Sequence, residues 1–164
     1  MIKSAGACAA GELWHQPRRF FSFVDDPVSP LMVTDRLRRP IDGGAIISRE
    51  LTSAYRPYPA AEASADAGVP VNDRVLLEHW RHEPGEPSAT ILALHGFSMG
   101  YPRIDAFALF ARSWFRAGFD VGLLTLPFLG ARTPKDARFS GERFAVPHVA
   151  RLNEAVRQAI YEVH

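Results

Sequence analysis

Residues 95–100 read H-G-F-S-M-G, and two chemistries fit those letters. Gly96-Phe97-Ser98-Met99-Gly100 fits G-x-S-x-G, in which a serine on a strained strand-to-helix turn attacks a carbonyl carbon. In that reading Ser98 is the nucleophile. His95-Gly96 directly after an apolar strand fits the oxyanion-hole turn of the same reaction. In that reading Ser98 is a bystander and the nucleophile lies elsewhere.

Local context favours the second reading. A helix must start almost at once after a nucleophilic serine, yet Tyr101-Pro102 follows the last glycine. Proline there removes an internal N–H and pushes Tyr101 away from helical angles. An attacking serine also needs an acid and then a histidine base, in that chain order. Downstream of Ser98 only His148 and His164 are available, the first beside Pro147 and the second at position 164.

Other reactive side chains are weaker candidates. His79, His82 and Glu83 suggest zinc, but on a strand a spacing of three puts two side chains on opposite faces, so no shared metal is expected. A basic loop with Arg132, Lys135, Arg138 and Arg143 is the candidate lid and anion contact, although such loops are more often solvated surface. Arg103 and Asp105 stand where they can brace the 95–100 turn.

The elements that position these residues follow from the apolar pattern. V-N-D-R-V-L-L-E-H-W-R-H predicts a strand over about 74–82. E-P-G-E-P at 83–87 predicts a turn. A-T-I-L-A-L-H at 89–95 is continuously apolar, as a strand buried on both faces is. Pro102 suits a first helical turn. Ile104, Phe107, Ala108, Ala111 and Phe115 then keep helical spacing up to a glycine cap at Gly118. F-D-V-G-L-L-T-L-P at 119–127 is a second buried strand, followed by a loop of about twenty residues. Pro147 opens a helix with Val149, Leu152, Val156, Ile160 and Val163 on one face. Its outer face is expected to carry Arg151, Glu154, Arg157, Gln158 and Glu162.

Residues 1–70 hold seven of the thirteen prolines and read as an irregular arm with a few short strands or turns. Its end, P-Y-P-A-A-E-A-S-A-D-A-G-V-P at 57–70, reads as a linker. The domain is then 71–164.

From residue 74 onward the chain resembles the α/β-hydrolase superfamily. The residues that carry the likeness are I-L-A-L-H-G-F, then A-L-F-A-R-S-W-F-R-A-G-F-D-V-G-L-L-T-L-P-F-L-G-A-R, and S-G-E-R-F-A-V-P-H-V-A-R-L-N-E-A-V-R-Q-A-I. They look most like a poorly characterised abhydrolase branch whose second strand ends in L-P-[FY]-x-G-x-R. Many members place an Asp where this chain has Leu126-Pro127. The resemblance implies an α/β fold, an oxyanion donor at the Phe97 backbone N–H aimed by a turn that His95 and Gly96 shape, and an elbow serine one strand–helix unit later, after a strand beginning beyond His164. The expected fold is therefore a partial α/β-hydrolase domain that stops before the nucleophile, acid and base.

The resulting expectation is the N-terminal part of a serine hydrolase for an ester, thioester or amide, inactive alone and using no cofactor or metal. The complete enzyme would take a small ester-like substrate. Two alternatives stand beside it. One is a non-catalytic hydrolase remnant or subunit that completes its sheet with a partner chain or a second copy, through an exposed edge. The other is a minimal esterase using Ser98 and His148.

Composition narrows the classes further. Of 164 residues, 47% are hydrophobic and 23% charged, as in an ordinary globular domain. Nineteen basic against eighteen acidic residues give +1, no footprint for nucleic acid or an anionic membrane. Cys8 is the single cysteine, so no intrachain disulfide forms. The longest apolar run, Val121 to Ala131, is shorter than the roughly 18 residues a spanning helix needs. A cytoplasmic setting is expected.

Overall fold

A computed structural model describes Arg18, Phe21 and residues 33–56, 72–85, 89–145 and 149–163. The linker segment 57–70, Pro147, His148 and His164 lie outside them.

β1 (Val33–Ile41), β2 (Gly44–Thr52), β3 (Arg74–His82), β4 (Thr90–Leu94) and β5 (Asp120–Thr125) form one five-stranded sheet in the order β1-β2-β3-β5-β4. β1, β2, β3 and β5 pair antiparallel in turn, whereas β4 and β5 are parallel. A parallel pair needs a crossover, and α1 (Pro102–Ala108) with α2 (Ala111–Arg116) supplies it. This is an α/β-class arrangement with a mixed sheet.

The segment 33–52, read from its prolines and arginines as part of an irregular arm, is a hairpin of two nine-residue strands continuous with β3. Asp42-Gly43 closes it, and Gly43 takes φ 81°, which glycine adopts without steric cost. β1 is an edge strand, which explains its composition. Arg36, Arg38, Arg39, Pro40 and a bulge between Asp35 and Leu37 discourage further pairing along it.

The expected helix from Pro102 to Gly118 is broken. Phe110 sits at φ 56° between α1 and α2, where an L side chain is disfavoured by about 1–2 kcal/mol. The break changes which residues are buried. Ala111 and Phe115 of α2 pack on Val121 and Leu123 of β5, with Trp80 and Ala93 beside them. Burying a side chain of the size of Phe115 contributes roughly 1.5–3 kcal/mol. Ile104 and Phe107, expected on the same buried face, are 57% and 85% exposed. Asp105 occupies the buried face of α1 instead.

α3 (Val149–Val163) corrects a second expectation. Its inward residues are Ala155, Gln158 and the Glu162 carboxylate, while Leu152, Ile160 and Val163 of the apolar stripe are exposed. The reason is Arg132, whose side chain is fully buried and needs a countercharge. Arg132 Nη1 and Nη2 donate to the two oxygens of Glu162 at 2.6 and 2.8 Å, and also to the carbonyls of Thr125 and Asn72. Gln158 Nε2 donates to Asn72 O as well, at 2.8 Å. Farther along the helix, Glu154 accepts from the Tyr55 hydroxyl, and Tyr161 leans on the Tyr55 ring. Burial and the adjacent Glu154 carboxylate push the Tyr55 phenol well above its usual pKa.

Candidate active site

The turn at 95–100 lies at the carboxyl end of β4, where open α/β sheets bind ligands. Met99 N–H donates to Gly96 O at 3.3 Å, closing a turn with Phe97 and Ser98 at its centre. Ser98 has φ 64° and Phe97 does not have a positive φ, the pattern of a type II turn with serine where glycine is preferred.

His95 anchors the start of this turn. It is buried, and Leu126 N–H donates to its Nε2 at 3.1 Å. Nε2 as acceptor leaves the proton on Nδ1, which donates to Gly96 O at 3.0 Å. The imidazole therefore ties the end of β4 to the end of β5. It is a strut and not a base.

The far end of the turn is held by glycines. A Cβ on Gly130 would stand 1.8 Å from Gly100 O, and one on Gly100 would stand 2.7 Å from Gly130 N. Backbone meets backbone here, which only glycine permits. Gly130 opens a short 3-10 turn over Gly130–Arg132. Ser140 bridges the same two loops, accepting from Gly130 N–H at 2.8 Å and donating to Met99 O at 3.0 Å. The Phe97 ring covers Gly141, where a Cβ would approach it to 2.7 Å. Asp105 Oδ1 accepts from Gly100 N–H at 3.3 Å, the brace expected of it. Arg103 is exposed and takes no part.

Within this frame Phe97 N–H has no hydrogen-bond partner among the described residues. A rigid turn that presents an unspent donor is what stabilisation of a developing oxyanion requires. Ser98 is exposed, and its hydroxyl likewise has no partner among the described residues. No described histidine engages it.

The three loop arginines do not converge. Arg132 is the buried clamp on α3, so its fork is not offered to solvent. Arg138 is exposed and lies 3.6 Å from Glu142. Arg143 pairs with Asp136. These pairs fasten the 126–145 loop to itself.

His79 and His82, expected on opposite strand faces, both approach Asp120. His82 Nδ1 is 2.9 Å from Asp120 Oδ1, and His79 Nε2 is 3.9 Å from Oδ2. His82 also stacks on Phe115, with ring centroids 3.9 Å apart. Arg49 donates to His79 Nδ1 at 3.0 Å. Burial, and then the Arg49 charge, lower the His79 pKa and disfavour its protonated form. Glu83 turns away to Arg38 at 3.8 Å. Among the described residues no His, Cys, Asp and Glu group is arranged to hold a metal ion. None of the described helices is long and apolar enough to cross a membrane.

Sequence reasoning missed Ser140 and Asn72, whose Oδ1 accepts from Phe128 N–H at 2.9 Å. Neither residue has a local signal, because each works across a long sequence separation. No protein-family model and no curated protein matches this chain.

Proposed function

We propose that this chain carries the oxyanion-hole part of a serine α/β hydrolase acting on an ester, thioester or amide. Phe97 N–H supplies one donor, and a backbone N–H beside the nucleophile supplies the second. The observation that carries this reading is the unspent Phe97 N–H, fixed at the carboxyl end of β4 by His95, Gly100, Gly130 and Ser140.

Two surfaces support a nucleophile, acid and base arriving from outside the described residues. β4 reads T-I-L-A-L, with none of the charges, proline or bulge that guard β1, and Leu92 and Leu94 on it are exposed. α3 turns Leu152, Ile160 and Val163 outward. A further parallel strand on the β4 edge, carrying the serine at its carboxyl end, would bring that serine beside the Phe97 turn. The chain alone is then inactive.

The coding sequence beyond codon 164 tests this. An apolar strand followed by G-x-S-x-G is expected. Its absence sinks the reading in favour of a non-catalytic subunit that completes its sheet with a partner chain. In an enzyme assembled from both parts, Phe97→Pro removes the donor, while proline suits the second position of a type II turn. Losing one such donor lowers kcat by about 10²–10³. An unchanged kcat would refute the role of Phe97.

One observation favours the minimal-esterase reading. Ser98 holds a left-handed φ of 64°, and such strain clusters at active sites. A fluorophosphonate probe separates the two readings. Covalent mass on Ser98 of this chain, abolished in Ser98→Ala, would move the nucleophile there.

A further inference from the structure

A second feature of the molecule is independent of the hydrolase reading. A cavity of about 470 Å³, open to solvent, lies between the sheet and the loops at Gly100, Pro102 and Ala131. That volume is within the range of small-ligand sites, roughly 300–1,000 Å³.

Register places its walls. Glu50 of β2 lies opposite Leu76 of β3, and Leu76 opposite Thr125 of β5, so these three side chains share one face of the sheet. Leu76 supplies an aliphatic wall, with Pro102 and Ala131 in the same lining, while the Leu77 side chain points to the opposite face beside Gly122. The polar wall is built on Glu50. Arg74 grips both of its oxygens, Nε to Oε1 at 2.8 Å and Nη2 to Oε2 at 2.9 Å, and Arg36 Nε adds a third bond at 3.0 Å.

One carboxylate thus holds two guanidinium groups. Glu50 has used both oxygens, but each arginine keeps donors. Arg36 Nη1 and Nη2 and Arg74 Nη1 have no partner among the described residues. Arg49 turns to the opposite face, where it binds Asp35 and His79, so the charged side chains on this face are Arg36, Arg74, Glu50 and Glu78, with no net charge. Glu78 is already occupied as acceptor from Trp80 Nε1 at 3.0 Å.

We infer that this cavity binds a small monoanionic carboxylate with an apolar body. The carboxylate would sit against Arg36 and Arg74, and the apolar body would lie on Leu76 and Pro102. Planar N–H forks match a carboxylate in geometry, and Glu50 and Glu78 on the same face repel a phosphoryl dianion more than a monoanion. Glu50 acts as a positioning residue: it aims the two forks and never touches the ligand.

The test is a titration of the folded chain followed by backbone amide NMR, using 4-phenylbutyrate, its neutral amide 4-phenylbutyramide, and inorganic phosphate. With the carboxylate, saturable shifts are expected at Leu76, Leu77, Thr125 and Gly100. The neutral amide should bind on the order of tenfold more weakly, because a charge-assisted contact is lost. Arg36→Gln should weaken the carboxylate by a similar factor without altering the amide. Arg36 has a single bonding partner and is 61% exposed, so that variant keeps the fold. Equal binding of carboxylate and amide, no shift at tens of millimolar, or tighter binding of phosphate would each overturn the inference.

Discussion

The Arg132–Glu162 pair decides how α3 is held, and its removal has a calculable cost. Side-chain exposure is 0% for Arg132 and 1% for Glu162. Arg132 makes four hydrogen bonds through its two terminal nitrogens, while its Nε is buried with no partner. Glu162→Gln keeps the shape but leaves the guanidinium charge buried and uncompensated, which costs about 3–5 kcal/mol. Arg132→Met leaves the carboxylate with Gln158 Nε2 at 2.8 Å and strips Thr125 O of its donor, a loss in the same range. Replacing both, as Arg132→Met with Glu162→Leu, removes charge and desolvation together and is expected to cost less than either single change. Urea unfolding followed by far-UV circular dichroism gives all the values needed for a double-mutant cycle. A Glu162→Gln loss below about 1 kcal/mol, the value of an exposed pair, would refute the buried clamp.

Three more predictions follow from the same geometry. Gly130→Ala places a methyl against Gly100 O and forces alanine to φ 53°; crowding and the left-handed backbone together cost about 2–5 kcal/mol. Gly118→Ala is its control, because Gly118 has φ 94° with nothing within 4 Å, so its urea midpoint should fall less. His95→Phe orphans Leu126 N–H at a cost of about 1–3 kcal/mol, and hydrogen exchange at Leu126 should turn from slow to fast. If that amide stays protected, the strut role of His95 is wrong. The Arg74 and Arg36 guanidiniums hold the Glu50 pKa down at about 2. Its stabilisation is therefore complete above the ordinary carboxylate range near 4.5 and is lost as pH falls from there towards 2. Arg36 and Arg74 are 61% and 53% exposed, so the loss is at most about 1 kcal/mol. Urea midpoints measured down that window should fall less in Glu50→Gln; parallel curves would contradict the assignment.

The strands from residue 74 onward are legible in the sequence because each carries a dense apolar run between turn residues. Arg74–His82, Thr90–Leu94 and Asp120–Thr125 fall within a residue or two of the spans the pattern predicts. The β1–β2 hairpin is not legible by apolar density, because an edge strand is stabilised by backbone pairing and advertises itself with charges. Asp42-Gly43 between two runs was its available signal. Of the site, the H-G turn and the Asp105 brace are readable, since their partners are close in sequence. Gly100 against Gly130 and Ser140 against Met99 are not, because each contact joins separate loops.

α3 shows why an amphipathic stripe predicts a helix more securely than it predicts which side is buried. Hydrophobic spacing finds the helix correctly, yet the buried side follows from a residue outside it. Arg132 sits at the end of a 3-10 turn that Gly130 fixes against Gly100. With its backbone so placed, its side chain lies beneath α3 with 0% exposure, and leaving that charge unpaired would cost about 3–5 kcal/mol, whereas Leu152, Ile160 and Val163, 37–41% exposed, give up only part of their burial. The helix therefore turns Glu162 and Gln158 inward and leaves Leu152, Ile160 and Val163 outside. The glycine contact that holds the 95–100 turn and the clamp that orients α3 are thus consecutive parts of one loop. A change at Gly130 should disturb both ends of it, which ties the geometry at Phe97 to which face of α3 meets solvent.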